Sequence, residues 1–146
     1  MESEDRFDMA VRWALDQPHL QELMRNVYVT YDTIGDARRF YRSKEFEETV
    51  RILSRLGKGP NQKFRLVDVG AGNGIASYAF ASLEYDVIAV DSSPSEIGGI
   101  EAAKKLQGLD GVNFELRLGD ITDLGLSEGQ IDVIYGRQFF HHTGEP

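Results

Sequence analysis

The stretch Leu66-Val67-Asp68-Val69-Gly70-Ala71-Gly72-Asn73-Gly74 decides the fold of this chain of 146 residues. An apolar run ends there in an acid and a Gly-x-Gly-x-Gly turn, and the turn opens directly into a predicted helix over 75–80. Gly70 permits a tight turn, Gly72 lets a ligand approach the bare backbone, and Gly74 lets the helix begin close to the strand. This arrangement is typical of a nucleotide-binding edge, and a purely structural turn is the simpler alternative.

The spacing of the glycines narrows the class of ligand. The dinucleotide fingerprint is G-x-G-x-x-G, and the third glycine of this chain, Gly74, comes one residue too early for it. No lysine follows the glycines, which excludes a P-loop. A nicotinamide-dependent oxidoreductase therefore stays an alternative that the spacing disfavours.

Three further strands are predicted downstream, at 85–91, 112–118 and 131–135. The first closes on Asp91, whose carboxylate could accept hydrogen bonds from both hydroxyls of a ribose, or could be a simple turn acid at a strand end. The second alternates strictly between apolar and polar residues, which indicates a strand with one buried face. Between these two strands, Ser93-Pro94-Ser95-Glu96 matches a capping box and predicts the start of a helix.

Four segments in this order, VDVGAGNG, VIAVDSSPSE, GDITDL and IDVIYGRQFFHH, resemble the motifs of the class I S-adenosylmethionine-dependent methyltransferases, closest to the small-molecule, methyltransferase-domain branch. The resemblance covers roughly residues 64–142. It implies an α/β fold with a Rossmann-like parallel sheet in the strand order 3-2-1-4, with 112–118 as an edge strand, and S-adenosylmethionine as the cofactor. The implied cofactor-binding residues are Asp68, Gly70, Ala71, Gly72, Gly74, Asp91, Ser92, Asp120, Ile121 and Arg137.

The resemblance also implies how the first part of this set would act. The three glycines would line the methionine part of the cofactor. Asp68 would support their loop and, through water, the cofactor amino group. Asp91, with Ser92 beside it, would hold the ribose hydroxyls.

The second part of the set follows the third and fourth predicted strands. By the same resemblance, Asp120 would accept a hydrogen bond from the adenine amino group, Ile121 would pack on the adenine ring, and Arg137 would contact the methionine portion. No catalytic residue is named by the resemblance. His141-His142, close to where a methyl acceptor would lie, is either a source of a general base or the structural start of the next helix.

Charge is unevenly distributed along the chain. Residues 1–63 carry eleven acidic and eleven basic side chains, whereas residues 64–146 carry thirteen acidic and five basic ones, which accounts for the net charge of −8. The acidic part disfavours nucleic acid as a partner and favours a small, neutral or cationic methyl acceptor, unless the charge only serves solubility.

Composition excludes several other classes of protein. No run of 18 apolar residues exists, so no membrane span and no membrane partner are expected. The absence of cysteine excludes disulfides and thiolate metal sites, and we predict no metal site. Together with the acidic start of the chain, it favours a cytoplasmic location.

We expect two parts, a helical segment over 1–60 and the cofactor-binding domain over 61–146. In the first part, apolar residues at helical spacing predict one helix, Pro18 opens a second, Gly35-Asp36 marks a break, and Ser43 caps a third. Its aromatic residues would line a substrate pocket or simply pack on the sheet, and its arginines would bind a carboxylate or face solvent. These residues are Tyr28, Tyr31, Phe40, Tyr41, Arg38, Arg39 and Arg42.

The position of Pro146 bears on the completeness of the fold. The resemblance implies three further strands and two more helices, so we expect a fragment of a longer enzyme, or a binding module without catalysis of its own that a partner completes. In either case the strand at 131–135 would have an unpaired outer edge, which predicts self-association through that edge.

Overall fold

The computed structural model describes residues 2–123, 125–126 and 129–137, and the side chains of 6–122, 125–126 and 129–137. Its strands are Arg65–Val69 (β1), Asp86–Asp91 (β2), Glu115–Leu118 (β3) and Val133–Gly136 (β4). They form one parallel sheet in the order β3-β2-β1-β4. The predicted fold class, the strand order and the edge position of the third strand are therefore confirmed.

The sheet places alternate residues of β1 on opposite faces. Val67 pairs with Ile88 of β2 and Ile134 of β4, and Asp68 pairs in the same way with Ala89 and Tyr135. Because both neighbours run parallel and in register, the side chain of Asp68 shares its face with those of Ala89 and Tyr135.

The two faces are covered by different parts of the chain. The face that includes Leu66 and Ala89 packs against a large cluster with Phe40, Phe46 and Phe80. The opposite face has a smaller cluster, in which Ile121, Leu126 and Ile131 pack on four buried residues of the central strands, Val67, Val69, Ile88 and Val90.

Six α-helices surround the strands in the described part of the chain. They are Glu2–Asp16 (α1), Gln21–Asn26 (α2), Thr33–Tyr41 (α3), Lys44–Arg55 (α4), Ile75–Ser82 (α5) and Ile100–Ala103 (α6). No described helix is both long and apolar enough to cross a membrane. Ser43 caps α4 as predicted, since its Oγ accepts a hydrogen bond from the Phe46 N–H at 3.2 Å.

The break predicted at Gly35-Asp36 is wrong, because both residues lie in the first turn of α3. The side chain of Asp32 caps this helix by accepting a hydrogen bond from the Gly35 N–H at 2.9 Å. Asp36 is only 2% exposed, and its carboxylate binds Thr30 and Arg39. The Asp32 cap and these contacts of Asp36 therefore hold a helix through a glycine that the sequence pattern treats as a breaker.

The helix start predicted at Ser93-Pro94-Ser95-Glu96 is also wrong, since α6 begins only at Ile100. The Ser95 hydroxyl accepts hydrogen bonds from the N–H groups of Ile97 and Gly98, and so closes a local turn. The chain then folds back so tightly that a Cβ on Gly99 would lie 2.4 Å from the Ser93 carbonyl oxygen. A serine followed by an acid can cap a turn as well as a helix.

The aromatic residues of the helical segment divide between core and surface. Phe40 is fully buried and packs edge-on against Tyr28, with ring centroids 5.4 Å apart. Tyr31 and Tyr41 are exposed. Packing is thus the function of Phe40. Among the arginines, Arg38 binds Asp110 and Arg39 binds Asp36.

Candidate cofactor site

The glycine loop, residues 70–74, joins β1 to α5 at the carboxyl edge of the sheet. Gly70, Gly72 and Gly74 all have left-handed backbones, with φ of 65°, 56° and 79°. Between them, the Ala71 N–H donates to the Val90 carbonyl of β2 at 3.0 Å, which ties the loop to the neighbouring strand. The loop therefore needs glycine for its backbone conformation, as the sequence predicted.

Two of these glycines also permit close contacts with the segment that follows β2. A Cβ on Gly72 would lie 3.2 Å from the Gly98 carbonyl oxygen, and a Cβ on Gly74 would lie 2.7 Å from the Cβ of Ala103. Gly74 thus allows α5 to approach α6. The sequence reasoning found the glycine but assigned the close approach to the strand.

Asp91 connects the end of β2 to the glycine loop. Its Oδ2 accepts a hydrogen bond from the Gly72 N–H at 2.7 Å, and its Oδ1 accepts one from the Ser93 N–H at 2.8 Å. Each carboxylate oxygen can accept a second hydrogen bond. Ser92 beside it is exposed. The contact to Gly72 places Asp91 against the loop that the sequence singled out.

Asp68 lies in β1, two residues before the glycine loop, and is 1% exposed. Its Oδ2 accepts a hydrogen bond from the Ser77 hydroxyl of α5 at 2.6 Å. The pKa of Asp68 is raised to about 7, chiefly by burial and also by the nearby charge of Asp91, while the Ser77 hydrogen bond and the Arg137 charge oppose the rise. Asp68 therefore connects β1 to α5 and can change its charge near neutral pH.

Arg137 follows β4 and is turned toward the helical segment. Its guanidinium donates two hydrogen bonds to the Glu45 carboxylate of α4, at 2.6 and 3.2 Å. It also lies over the rings of Tyr28 and Phe40, 5.6 and 5.4 Å from their centroids. The side chain that the resemblance assigned to the methionine portion is held here by a carboxylate of the same chain.

Asp120 and Ile121 lie farther out, after the edge strand β3. The exposed Asp120 uses its Oδ1 to accept hydrogen bonds from the N–H and the hydroxyl of Thr122, both at 2.9 Å, and these bonds lower its pKa. Ile121 is half-buried and packs on the cluster of Val67. No described contact joins Asp120 to the glycine loop or to Asp91.

Three residues near the site were missed by the sequence reasoning. Ser77 binds Asp68, Glu45 binds Arg137, and the Asn73 side chain donates to the Tyr28 carbonyl at 2.7 Å. Only Asn73 lies inside a recognised motif, and no local pattern points to the other two. They could be found only from the packing of α4 and α5.

The histidines His141 and His142 lie outside the described residues. Among the residues that are described, no group of three or more histidine and acidic side chains could hold a metal ion.

A family model described as "Methyltransferase domain" matches residues 67–146. The match includes the whole glycine loop and every predicted cofactor-binding residue. It agrees with the resemblance that the four sequence motifs carry.

Two curated relatives are similar to about three fifths of this chain. A ubiquinone biosynthesis O-methyltransferase from Cereibacter sphaeroides is 29% identical over 87 residues, which are 60% of this chain and 34% of that protein. A ribosomal RNA small subunit methyltransferase G from Streptococcus equi subsp. zooepidemicus is 33% identical over 99 residues, 64% of this chain and 40% of that protein. The aligned part thus spans between a third and two fifths of these relatives.

A solved structure with a similar fold is the YcgJ protein from Bacillus subtilis. It is 24% identical, with a TM-score of 0.54, over 68% of this chain and 41% of that chain. At this identity the likeness concerns the fold alone, and it agrees with the Rossmann-like sheet described above.

Proposed function

The chain belongs to the methyltransferase domain family, and from this premise we propose that it binds S-adenosylmethionine and transfers its methyl group to a small-molecule acceptor. The observation that carries the proposal is the contact between Asp91 and the Gly72 N–H at 2.7 Å. It joins a carboxylate with free acceptor capacity to a glycine loop, which is the combination that a nucleoside needs.

The residues present fit such a cofactor. Asp91, with Ser92 adjacent to it, would accept hydrogen bonds from the ribose hydroxyls. The left-handed glycine loop would lie along the methionine part, supported by Asp68. Asp120, whose Oδ2 has no described partner, would accept a hydrogen bond from the adenine amino group, with Ile121 against the ring.

The role of Arg137 in this proposal depends on its ion pair with Glu45. Because its guanidinium already binds Glu45, a contact to the methionine portion would require it to share or exchange that carboxylate.

When bound, S-adenosylmethionine supplies a methyl group that is already activated on a sulfonium, and displacement in line leaves S-adenosylhomocysteine. The chain would mainly align the acceptor and exclude water. A catalytic base is required only for an acceptor that must lose its proton early. The cysteine-free composition supports a reducing, cytoplasmic setting for this activity.

A small-molecule acceptor is supported by the charge of residues 64–146, with thirteen acidic and five basic side chains, and by the likeness to a ubiquinone biosynthesis O-methyltransferase. RNA is the second candidate acceptor, because a ribosomal RNA methyltransferase is 33% identical over 99 residues.

Calorimetry with S-adenosylhomocysteine and with NADH tests the cofactor. We expect S-adenosylhomocysteine to bind and NADH not to bind. In Gly72→Val, the left-handed φ of 56° and the Gly98 carbonyl 3.2 Å from the new Cβ should abolish binding while helical content, read by circular dichroism, is kept. If Gly72→Val binds S-adenosylhomocysteine normally, the glycine loop is a structural turn and not part of the cofactor site.

Methyl transfer from radiolabelled S-adenosylmethionine tests the acceptor. We expect the labelled methyl group to appear in a small phenol and not in ribosomal RNA. Label in ribosomal RNA and none in the phenol would identify RNA as the acceptor. Cofactor binding without transfer to either would favour a binding module without catalysis of its own.

A further inference from the structure

A cavity lies between the helical segment and the turn that follows β2. Its volume is about 210 Å³, and its lining includes Arg12 of α1, Tyr31 and Thr33 at the start of α3, Ile97 of the turn, and Lys105. Clefts between two parts of a chain are common ligand sites. None of the residues assigned above to the cofactor lines it.

Lys105 is an exception among the bases of residues 64–146. Arg65, Lys104, Arg117 and Arg137 each form an ion pair with an acidic side chain. Lys105 has no ion pair or hydrogen bond within the described part of the chain, and it lines the cavity. An unpaired ammonium beside a cleft can bind an anion without first breaking a bond within the protein.

Arg12, the second cation of the cavity, forms only a weak ion pair. Arg12 lies 3.6 Å from the Glu96 carboxylate, and the Glu96 side chain is 75% exposed. Such a pair contributes little stability, so Glu96 can move away at small cost. With Glu96 in place the lining has one net positive charge, and with it displaced the lining has two.

The polar lining of the cavity includes the side chain of Thr33. Thr33 is 3% exposed, and its hydroxyl has no hydrogen-bond partner among the described residues. Because none of the buried side-chain polar atoms in the described residues lacks a partner, the Thr33 hydroxyl is accessible from the cavity that it lines, and a ligand there can bind it. Beside it, Tyr31 is 54% exposed and presents an aromatic ring.

We propose that this cavity binds a small organic anion, with Lys105, Arg12 and the Thr33 hydroxyl on its carboxylate or phosphate group and Tyr31 against its organic part. The anion is either an anionic group of the methyl acceptor or a separate effector. Both sources share this chemistry, and the site is detectable whether or not the chain transfers methyl groups.

Titration of inorganic phosphate at constant ionic strength, followed by backbone amide NMR, tests the site. We expect saturable shifts at Thr33, Ile97 and Lys105. Lys105→Gln should weaken phosphate about fivefold, the effect of losing one exposed ion pair. Lys104→Gln is the matched control, since it removes the same charge from the adjacent residue, whose ammonium binds Glu101 at 2.6 Å.

Equal phosphate affinity in the two lysine variants, or no shift at Thr33, would overturn the proposal. Thr33→Val, which keeps the shape of the side chain and removes its hydroxyl, should also weaken phosphate. Calorimetry with S-adenosylhomocysteine on the same variants should give the parent affinity. If S-adenosylhomocysteine fails to bind the parent chain, the methyltransferase proposal fails and the phosphate titration still decides this one.

The source of the anion is read from methyl-transfer kinetics. A phenol that bears a carboxylate is compared with its neutral amide. If Lys105→Gln raises KM for the acid alone, the cavity holds the acceptor. If phosphate changes turnover of the amide, and Lys105→Gln removes that change, the cavity holds an effector. If Lys105→Gln has the same KM for the acid as the parent chain, and phosphate affects turnover of the amide equally in both, the proposed anion site is contradicted.

Discussion

The centre of the sheet, where β1 and β2 end, differs from its outer edge, where β3 ends. At the centre, Asp68 and Asp91 contact residues of other elements, Ser77 of α5 and Gly72 of the glycine loop. At the outer edge, the hydrogen bonds that described residues donate to the Asp120 side chain come from its own turn, from Thr122. Acids at equivalent strand ends therefore have different environments, because only the central strand ends are covered by neighbouring segments.

The consequence appears in their pKa values, which move in opposite directions. Burial raises the pKa of Asp68 to about 7, whereas hydrogen bonds from Thr122 lower the pKa of the exposed Asp120. The centre can respond to neutral pH, and the outer edge stays ionised.

The largest expected effect compares Gly74 of the central region with Gly108, which lies in the segment leading into β3. Gly74 and Gly108 have the same φ of +79°, but a Cβ on Gly74 would lie 2.7 Å from Ala103, while a Cβ on Gly108 would meet nothing within 4 Å. Gly108→Ala should lose about 1–2 kcal/mol from backbone strain. Gly74→Ala should lose about 1–3 kcal/mol more from overpacking. Urea denaturation measures both, and equal losses would show that α6 moves aside freely.

The second effect is a pH dependence of stability that belongs to Asp68. Its folded pKa of about 7 exceeds its ordinary value of 3.8, so the unfolded state releases this proton first. The free energy of unfolding should therefore fall as pH rises from 3.8 to 7 and then level off, by on the order of a few kcal/mol.

Asp68→Asn should remove this slope, which urea denaturation at several pH values would detect. The matched control is Asp86→Asn, which changes an exposed carboxylate at the opposite end of the neighbouring strand. If the slope survives in Asp68→Asn, another group must titrate.

The third effect concerns binding of S-adenosylhomocysteine. Hydrogen bonds to a carboxylate contribute about 1.5–3 kcal/mol each, so Asp91→Ala should weaken binding roughly tenfold or more. Asp120→Ala should weaken it less, because the outer carboxylate would make a single, exposed contact. Calorimetry measures both affinities, and circular dichroism checks that the fold is kept. If Asp120→Ala weakened binding more than Asp91→Ala, the main cofactor contact would lie at the β3 edge instead of at Asp91.

The smallest expected effect compares the two outermost strands. Ile134 of β4 is 62% exposed and Leu118 of β3 is 58% exposed. If the edge predicted at 131–135 mediates self-association, Ile134→Lys should lower the apparent mass in light scattering at high concentration, and Leu118→Lys should not. If the parent chain is monomeric, or if both substitutions change the apparent mass equally, the edge at 131–135 does not mediate self-association.

Much of the fold followed from local pattern. The four strands, their order, the cap at Ser43 and the helix that begins directly after the glycine loop were predicted, since alternation, apolar runs and glycine spacing act over a few residues. The two errors, at Gly35-Asp36 and at 93–96, have a common origin, because nearby side chains satisfy a local structure other than the predicted one. The Asp32 side chain caps α3 through Gly35, and the Ser95 hydroxyl closes a turn instead of starting a helix.

The sequence by itself determined the class of fold, the glycine loop and the acids that follow the strands, because these depend on backbone conformation and on short spacings. Only the tertiary structure decided what each acid contacts. It gave Asp68 a hydroxyl from α5, held Arg137 on Glu45 from 92 residues away, and left Lys105 without an ion pair among the described residues. Burial and charge pairing join positions far apart in the chain, and no local pattern records which positions meet.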